Sequence, residues 1–568
     1  MTWRYRFALG LFFLLFFFVV CRLFYWQVVR AQELVSLGKA QYGKEVSLTT
    51  ERGEIKTADD FSIVANKLAY LVYVNPRLVK ERDTYAERLS PLLEIEEATI
   101  SAVLSENKEK YWVALKQTVD NKTKERIANL NLPGVGFEEK RLRFYPEGSL
   151  SAKLLGFVGK DDYGEDKGYF GLEGYYDKQL RGKAGTATII HDASGQPILA
   201  KMNESVHKID GRNLVLHIDR TLQYMLDREL KKGIETYGAV GGMAAIMNPK
   251  TGGILAMSSF PSYDPRSYHE YSDKLYRNPF ITDTYEPGST LKPLVMGSAI
   301  NLDLLTPDTQ CDICAGPVSV SGYEVKTWND KYTANSTMTE VIQHSDNTGM
   351  VFVGRLLGLD RLLGYFNKFG IGEMTGIDLQ GEIAPDLRPR DDWYAIDLAT
   401  ATFGQGITVT PIELLTAFSA IANGGNRMEP HVVASVETSE GDIINIPPKV
   451  LNKPVSAQTA RIITEMMVNA VDKGESKWAK PKGYRIAGKT GTAQIPVAGH
   501  YDPNKTITSF VGFGPADDPQ FLMLVVIDRP SSSIYGSETA APLFFNVAKH
   551  VLAYYGIPPT KSESEEEE

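Results

Sequence analysis

The sequence predicts an α+β protein with an N-terminal transmembrane helix, an elongated α+β domain and a C-terminal domain whose central antiparallel sheet is flanked by helices. Three observations support this prediction. Residues 1–31 contain one long apolar run. Residues 32–235 mix short strand-like stretches with charged helical ones. Residues 240–556 have an apolar hairpin pattern near each end and helical patterns between, which is typical of an α+β domain.

Composition indicates a globular protein of two or more domains. The chain has 568 residues, of which 43% are hydrophobic and 23% are charged. A formal charge of -9, without a basic stripe, argues against binding to nucleic acid. The final residues, 557–568, include "SESEEEE" and are predicted to be a disordered acidic tail.

The apolar run near the N-terminus predicts a membrane anchor. The 23 residues from Phe7 to Val29 are long enough to cross a bilayer of roughly 30 Å, with one interruption at Arg22. Arg4 and Arg6 favour a cytoplasmic N-terminus. A cleaved signal peptide is the alternative, but the sequence ending at Ala31 is a poor cleavage site. We therefore predict a single-pass protein of the cell membrane whose remaining chain lies outside the cytoplasm.

Cysteine is scarce, and its pattern predicts no function. Cys21 lies in the predicted span, and Cys311 and Cys314 form a lone C-x-x-C. A zinc site is weakly supported because no second ligand pair is present. A local disulfide and two free thiols both remain open for this pair. No H-E-x-x-H motif occurs, and we predict neither a metal site nor a cofactor.

The domain of residues 32–235 shows no catalytic constellation. Stretches such as "AYLVYVNP" alternate like strands, and stretches such as "DTYAERLSPLLEIEEATISAVL" look helical. The segment "DGRNLVLHIDRTLQYMLDRELKKGIETYG" predicts a strand followed by an amphipathic helix. We therefore expect this domain to support the chemistry of the next one.

The domain of residues 240–556 begins and ends with predicted hairpins. In "MAAIMNPKTGGILAMSSF" two apolar strands flank the turn "NPKTGG". The stretch "TSFVGFGPADDPQFLMLVVIDRP" repeats this plan around "GPADDPQ". Helical segments lie between them, including "MTEVIQHSDNTGMVFVGRLLG" and "TPIELLTAFSAIANGG". This order predicts strands from both ends of the domain in one antiparallel sheet.

Ser289 and Lys292 stand three positions apart in "YEPGSTLKP". Pro287 and Gly288 interrupt the preceding structure, and Pro293 is tolerated only in the first turn of a helix. A helix starting at about Ser289 places Lys292 one turn away on the same face. A desolvated lysine there can take a proton from the serine hydroxyl, although an isolated Ser-x-x-Lys is more often a cap beside a solvated lysine.

Two further motifs follow in the order that a serine acyltransferase needs. One is Ser345-Asp346-Asn347 and the other is Lys489-Thr490-Gly491-Thr492. Together, S-x-x-K, S-x-N and K-T-G are the signature of penicillin-binding proteins and serine β-lactamases. The other serines with a lysine three residues on, Ser36, Ser105 and Ser205, lie outside this domain.

The chemistry assigns a role to each motif residue. Ser289 attacks a carbonyl and Lys292 takes its proton, while Ser345 relays a proton to the leaving amine. Asn347 bonds the substrate amide, and Lys489 adds positive charge. Thr490 and Thr492 bind a substrate carboxylate, and Gly491 keeps the strand free of bulk, so that a peptide can add to it as a strand. The backbone N–H groups of Ser289 and Thr492 are the candidates for an oxyanion hole.

Nearly the whole chain resembles the class B penicillin-binding proteins, which are membrane-anchored monofunctional peptidoglycan transpeptidases. The resemblance covers "RGEI", "YPEGSLSAKLLGFVG", "GYFGLEGYYDKQLRGKAGT" and "DGRNLVLHIDRTLQ" in a pedestal domain similar to the family's dimerisation domain. It continues through "EPGSTLKP", "FGQGITVTPIELLTAFSAIANGG" and "GKTGTAQ". The resemblance implies a bacterial enzyme that cross-links stem peptides ending in D-alanyl-D-alanine and is acylated by β-lactams at Ser289.

The resemblance also implies partners and a cellular role. The family's usual partner is a polytopic glycan polymerase, contacted through the span and the pedestal, together with other division proteins. The pedestal favours the septal, cell-division branch over the elongation branch, which stays an alternative. Asp346 departs from the family, which more often has serine there, and this raises a serine β-lactamase as a rival.

Three alternatives are less consistent with the sequence: a β-lactamase, a β-lactam receptor and a non-catalytic scaffold. A β-lactamase needs a deacylating base, and no E-x-x-L-N occurs between Asn347 and Lys489. A β-lactam receptor needs a cytoplasmic output domain, and about six residues precede the predicted span. A non-catalytic scaffold should have lost part of the motif set, yet all three motifs are intact.

Overall fold

A computed structural model describes residues 2–48, 50–191, 197–497 and 500–559. The predicted acidic tail lies outside these ranges from residue 560 onward. The described chain divides into two units, residues 1–53 with 181–211, and residues 54–180 with 212–568.

Helices and strands alternate along the first 240 residues. The helices are α1 (Trp3–Phe24), α2 (Ala31–Tyr42), α3 (Arg82–Leu93), α4 (Glu97–Glu106), α5 (Asn121–Ala128), α6 (Ala152–Leu155), α7 (Gly171–Tyr175), α8 (Asp177–Arg181) and α9 (Arg220–Tyr237). The strands are β1 (Gly43–Leu48), β2 (Ile55–Lys56), β3 (Ser62–Val74), β4 (Val113–Val119), β5 (Val135–Phe144), β6 (Phe157–Lys160), β7 (Asp166–Tyr169), β8 (Gly185–His191), β9 (Pro197–Val206) and β10 (Asn213–Leu216).

The remaining chain contributes the central sheet and most of the helices around it. The strands are β11 (Gly241–Met247), β12 (Ile254–Phe260), β13 (Val318–Val320), β14 (Tyr323–Val325), β15 (Arg427–Met428), β16 (Val433–Glu437), β17 (Ile443–Asn445), β18 (Val450–Asn452), β19 (Ala487–Val497), β20 (His500–Gly514) and β21 (Phe521–Asp528). The helices are α10 (Asp273–Tyr276), α11 (Pro279–Thr282), α12 (Lys292–Asn301), α13 (Met338–Gln343), α14 (Asn347–Leu357), α15 (Leu359–Phe369), α16 (Ala395–Ala401), α17 (Pro411–Ala422), α18 (Ala457–Lys473) and α19 (Ala540–Tyr554).

The first unit contains the predicted anchor and a small sheet. The helical segment Trp3–Val29 has a mean hydropathy of 2.6 and is long and apolar enough to cross a membrane. Its large apolar side chains are exposed on every face, as expected for a helix surrounded by lipid. Strands β1, β8 and β9 form a three-stranded antiparallel sheet in the same unit.

A seven-stranded sheet in the second unit contains strands from both predicted domains, residues 32–235 and residues 240–556. Its order is β17-β16-β10-β2-β3-β4, with β5 paired to β3. Strand β10 pairs in parallel with β2 and antiparallel with β16, which comes about 220 residues later in the chain. Hydrogen bonds of this sheet therefore connect residues on the two sides of the predicted boundary near residue 235.

The predicted antiparallel sheet is confirmed. Five antiparallel strands have the order β12-β11-β21-β20-β19, so that hairpins from both ends of the domain meet at β11 and β21. Successive residues of a strand face opposite sides of the sheet, and here both sides are covered. Ala244 and Ile246 pack with α9 and α19, whereas Ala245 and Met247 face the larger helical core.

Helix α9 belongs by its packing to this sheet. Asp219 caps its N-terminus by accepting the Leu222 N–H at 3.0 Å. Leu222, Leu226 and Leu230 recur at helical spacing and are fully buried against the sheet and α19. The helix lies before residue 235 in the sequence, but its apolar face completes the core of the C-terminal domain.

Candidate active site

Ser289 lies in a single 3-10 turn that leads into α12. The turn spans Gly288–Leu291, and α12 begins at Lys292 with Pro293 in its first turn, as the sequence predicted. Ser289 is partly exposed, whereas Lys292 is completely buried. The nucleophile candidate is therefore open to substrate, and the candidate base is shielded from water.

Lys292 reaches across to the second motif. Its Nζ donates to the carbonyl oxygen of Ser345 at 2.5 Å, to Oδ1 of Asn347 at 2.8 Å and to Oγ of Ser345 at 3.3 Å. Within the part of the chain that the structure describes, these bonds do not include Ser289 Oγ. Catalytic hydrogen bonds often form only when substrate binds, so Lys292 keeps its place one turn after Ser289 as the candidate base.

Ser345 and Asp346 form the connection between α13 and α14. Ser345 has φ 57°, in the left-handed region, which turns its hydroxyl and carbonyl toward Lys292. Oδ1 of Asp346 accepts the N–H of Thr348 at 2.7 Å and that of Gly349 at 3.4 Å, so it caps α14. Asp346 therefore has a structural role at the position where the family more often has serine.

The third motif lies on an edge strand. Nζ of Lys489 donates to Ser345 Oγ at 3.0 Å and to Thr490 Oγ1 at 3.2 Å. Among the described residues, β19 is the edge strand of the five-stranded sheet and pairs with β20, so its other side can bond a peptide through its backbone. Gly536 donates its N–H to Thr492 Oγ1 at 3.0 Å, which leaves the hydroxyl proton of Thr492 for a substrate oxygen.

Two glycines allow the Ser289 turn to approach its neighbours. A Cβ on Gly491 would lie 2.3 Å from Ser509 Oγ and 2.8 Å from Thr290 Cγ2. A Cβ on Gly404, which has φ +78°, would lie 2.2 Å from the Gly288 carbonyl oxygen. Any side chain at these glycines would push the motifs apart.

Burial lowers the pKa of both lysines. Burial and the charge of Lys489 hold the pKa of Lys292 well below its usual range, although Asp346 and Glu475 raise it. Burial lowers the pKa of Lys489 to about 8, against the opposing effect of Glu475. Burial also raises the pKa of Glu475 itself. Of the two lysines, Lys292 is therefore the one whose neutral form is favoured more strongly by the site.

The structure brings together all eight predicted site residues and adds others that the motifs did not reveal. Glu475 follows α18 and lines a pocket behind β19 together with Lys489 and Thr490. No local pattern marks it, because only the tertiary fold brings it near the lysines. Glu286 and Tyr501 also meet beside the site. Glu286 lies three residues before Ser289, but the sequence motif predicts no role for it.

The C-x-x-C pair lies in the helical core, away from this chemistry. Cys311 and Cys314 form a disulfide with an S–S distance of 2.01 Å, and both residues are fully buried. Of the two alternatives that the sequence left open, a local disulfide and two free thiols, the structure has the disulfide.

Comparison with known proteins identifies the family. Residues 242–549 match the penicillin binding protein transpeptidase domain, and residues 47–216 match the penicillin-binding protein dimerisation domain. The chain belongs to the penicillin-binding proteins. The resemblance inferred from the motifs is therefore confirmed, together with the fold class.

Individual penicillin-binding proteins match over nearly the whole chain. Stage V sporulation protein D of Bacillus subtilis is 34% identical over 97% of this chain and 86% of its own length. Peptidoglycan D,D-transpeptidase FtsI of Escherichia coli is 29% identical over 98% of this chain and 93% of its own length. The crystal structure of penicillin binding protein 2X from Streptococcus thermophilus aligns with a TM-score of 0.77 at 25% identity, covering 90% of this chain and 80% of that one.

The capping role of Asp346 leads to a stability prediction. We expect Asp346→Ala to lower the free energy of unfolding by about 1 kcal/mol, because α14 loses the acceptor for its first N–H groups. The measurement is urea unfolding followed by circular dichroism. Asp346→Ser keeps a capping oxygen and is the matched control, expected within about 0.5 kcal/mol of the natural protein. An equal loss in both variants would show that the carboxylate acts in some other way.

Proposed function

We propose that this penicillin-binding protein is a peptidoglycan D,D-transpeptidase that cross-links stem peptides through an acyl-Ser289 intermediate. The observation that carries the proposal is the position of Ser345 Oγ, within 3.3 Å of Lys292 Nζ and 3.0 Å of Lys489 Nζ. A hydroxyl between a neutral and a charged amine can accept a proton from one and donate its own to the other. This arrangement suits proton transfer beside a serine nucleophile.

Acylation follows from this arrangement. Neutral Lys292 accepts the proton of Ser289 as Oγ attacks the carbonyl carbon of the penultimate D-alanine. The C–N bond to the terminal D-alanine breaks, and Ser345 passes a proton to the leaving amine, which departs. An acyl ester on Ser289 remains. General acid–base catalysis of this kind contributes typically 10²–10⁴-fold to a rate.

The other motif residues position the substrate in this proposal. Lys489 and the hydroxyls of Thr490 and Thr492 bind the terminal carboxylate of the donor peptide. The N–H groups of Ser289 and Thr492 stabilise the oxyanion of the tetrahedral intermediate. The donor adds to the free side of β19 as an extra strand.

Transfer to the second peptide reverses the proton movements. The amine of the acceptor stem peptide attacks the ester carbonyl and forms the new peptide bond. The C–O bond to Ser289 breaks, and the proton of the amine passes through the same Lys292–Ser345 route to Ser289 Oγ. Asp346, with its carboxylate bonded to the first N–H groups of α14, is not placed as a base for water. This favours transfer to an amine over the hydrolysis that a β-lactamase needs.

The site and the anchor together suggest where the enzyme works. We place the Trp3–Val29 segment across the cell membrane, with the N-terminus in the cytoplasm and the catalytic domain outside. Partners of the proposed enzyme are the stem peptides, a polytopic glycan polymerase and other division proteins. The pedestal motifs favour septal wall synthesis, and the name of the Bacillus subtilis relative makes sporulation the second candidate role.

Covalent labelling tests the nucleophile. We expect benzylpenicillin to add one acyl group to the protein and Ser289→Ala to abolish the addition, because Ser289 is partly exposed one turn before Lys292, whereas Ser345, whose hydroxyl also lies beside Lys292, is buried. Intact-protein mass spectrometry measures the adduct. Ser105→Ala is the control, since Ser105 also has a lysine three residues on, and it should be labelled fully.

The same mass spectra distinguish a transpeptidase from a β-lactamase. An adduct that persists for minutes, at roughly 10⁻³ s⁻¹ or slower, fits a transpeptidase that awaits an amine; the corresponding barrier is about 21 kcal/mol. An adduct that disappears in seconds while hydrolysed penicillin accumulates would identify a β-lactamase. An adduct retained by Ser289→Ala would show that another residue is the nucleophile.

Localisation tests the anchor and the role together. We expect a fluorescent fusion of the full chain to remain with membranes after a high-salt wash and to form a band at midcell in growing cells. A band that appears only during sporulation supports the second role, and a patchwork along the side wall supports the elongation branch. A mature N-terminus at Gln32 would show that the apolar segment is a cleaved signal peptide.

A further inference from the structure

Glu286 places a carboxylate three residues before Ser289 and has no part in the mechanism above. Its Oε1 accepts the N–H of Gly406 at 3.1 Å, and both carboxylate oxygens lie 3.2 Å from the hydroxyl oxygen of Tyr501. Burial raises the pKa of Glu286, while the bonds from Gly406 and Tyr501 lower it. The carboxylate is therefore held in place by neutral donors.

Glu286 has no cationic partner among the residues that the structure describes, because no Lys, Arg or His nitrogen lies within 4.0 Å of its oxygens. Arg388 contacts the same loop through the Gly406 carbonyl at 3.4 Å, but its guanidinium pairs with Asp397 at 3.1 Å. A partly buried carboxylate beside an open cleft, bonded only to neutral donors, favours a cationic ligand.

The position of Glu286 along β19 indicates which part of the substrate it meets. The Ser289 turn packs against Thr492, since a Cβ on Gly288 would lie 3.0 Å from the Thr492 carbonyl oxygen. Tyr501 is the cross-strand partner of Pro496. At about 3.3 Å per residue, Pro496 is roughly 13 Å beyond Thr492, on the side away from Lys489.

A stem peptide carries a cation that suits this place. Any peptide that can act as acceptor has a free amine, which is protonated at neutral pH. The same amine is present when the peptide acts as donor. With its terminal carboxylate at Thr490 and Thr492, an extended donor runs past Ser289 toward Pro496. A long side chain on the residue just before the acylated one covers the remaining distance to Glu286.

We propose that the Glu286 carboxylate binds the ammonium group of a stem peptide, with Tyr501 and Gly406 fixing its orientation. The proposal rests on the transpeptidase function and adds a substrate preference to it: stem peptides with a free amine are used better than those with the amine blocked. The bound ammonium belongs either to the donor peptide or to the acceptor, and the two sources are distinguished experimentally.

The donor arm compares two synthetic thioesters, Nα-acetyl-L-Lys-D-Ala-thioglycolate with a free side-chain amine and its Nε-acetylated form. We expect the natural protein to be acylated about tenfold more efficiently by the free amine, as a charge-assisted hydrogen bond predicts. Glu286→Gln keeps an accepting oxygen for Gly406 and Tyr501 but has no charge. In this variant the ratio of the acylation efficiencies of the two thioesters should fall to within about twofold of unity. Tyr501→Phe keeps the charge and should keep the preference.

The acceptor arm starts from the acyl-enzyme made with the Nε-acetylated thioester and adds an acceptor peptide with a free amine. If Glu286 first captures the acceptor as its ammonium, which then leaves Glu286 and loses its proton before it attacks the ester, Glu286→Gln slows transfer about tenfold at low acceptor concentration, while the donor ratio of the natural protein is near one. The proposal is overturned if Glu286→Gln changes neither the donor ratio nor the transfer rate. Benzylpenicillin labelling separates this failure from a failure of the transpeptidase function, because penicillin has no ammonium for Glu286 to bind.

Discussion

Two buried lysines share one hydroxyl, and this constraint governs the rest of the site. Lys292 and Lys489 both lie within hydrogen-bond distance of Ser345 Oγ, and both are almost completely excluded from water. Two adjacent ammonium groups in such surroundings repel each other and lack hydration. The strain is relieved when one lysine gives up its proton. Lys292 is the more deeply buried of the two, and a neutral Lys292 is the base that a serine nucleophile needs. The fold thus favours a neutral Lys292, the proposed base, before substrate arrives.

The surrounding fold is what keeps these lysines buried and close together. Three distant segments converge at Ser345, because Lys292 lies 53 residues before it in the chain and Lys489 lies 144 residues after it. Helix α12 is buried along most of its length, and Lys292 at its start is completely buried. Ser345 adopts a left-handed backbone conformation that costs of order 1–3 kcal/mol, and the capped start of α14 holds it there. Strand β19 presents Lys489 from the edge of the sheet, where a peptide can still bind.

The candidate site residues could be found in the sequence, whereas most of the structure that holds them in place could not. Ser289, Lys292, Ser345, Asn347 and Lys489 were recognisable because each motif is short and its residues stay adjacent in the fold. The hairpins of the central sheet were predictable for the same reason, since turn residues and alternating strands are local signals.

The pairing of β10 with β16 and the packing of α9 could not be predicted from local patterns, because they join distant segments. The capping role of Asp346 was not evident in the sequence for a related reason. The donors to its carboxylate are the N–H groups two and three residues ahead, and these lack other partners only because a helix starts there. Glu475 and Glu286 could not be assigned a role from the sequence, because their neighbours in the site come from other segments of the chain.

The pH dependence of acylation tests most directly whether Lys292 is a neutral base beside a charged Lys489. The measurement is the second-order rate constant for acylation of Ser289 by benzylpenicillin from pH 5 to pH 10. A base must lose its proton to act, so the rate should rise with pH through the lowered pKa of Lys292 and level off well below pH 10. It should then fall near pH 8, where Lys489 loses the charge that binds the substrate carboxylate. Lys489→Arg stays charged throughout this range and should lose the alkaline fall. A rate that climbs steadily to pH 10 in the natural protein would contradict the account, because it would show that Lys292 titrates as an ordinary, solvated lysine.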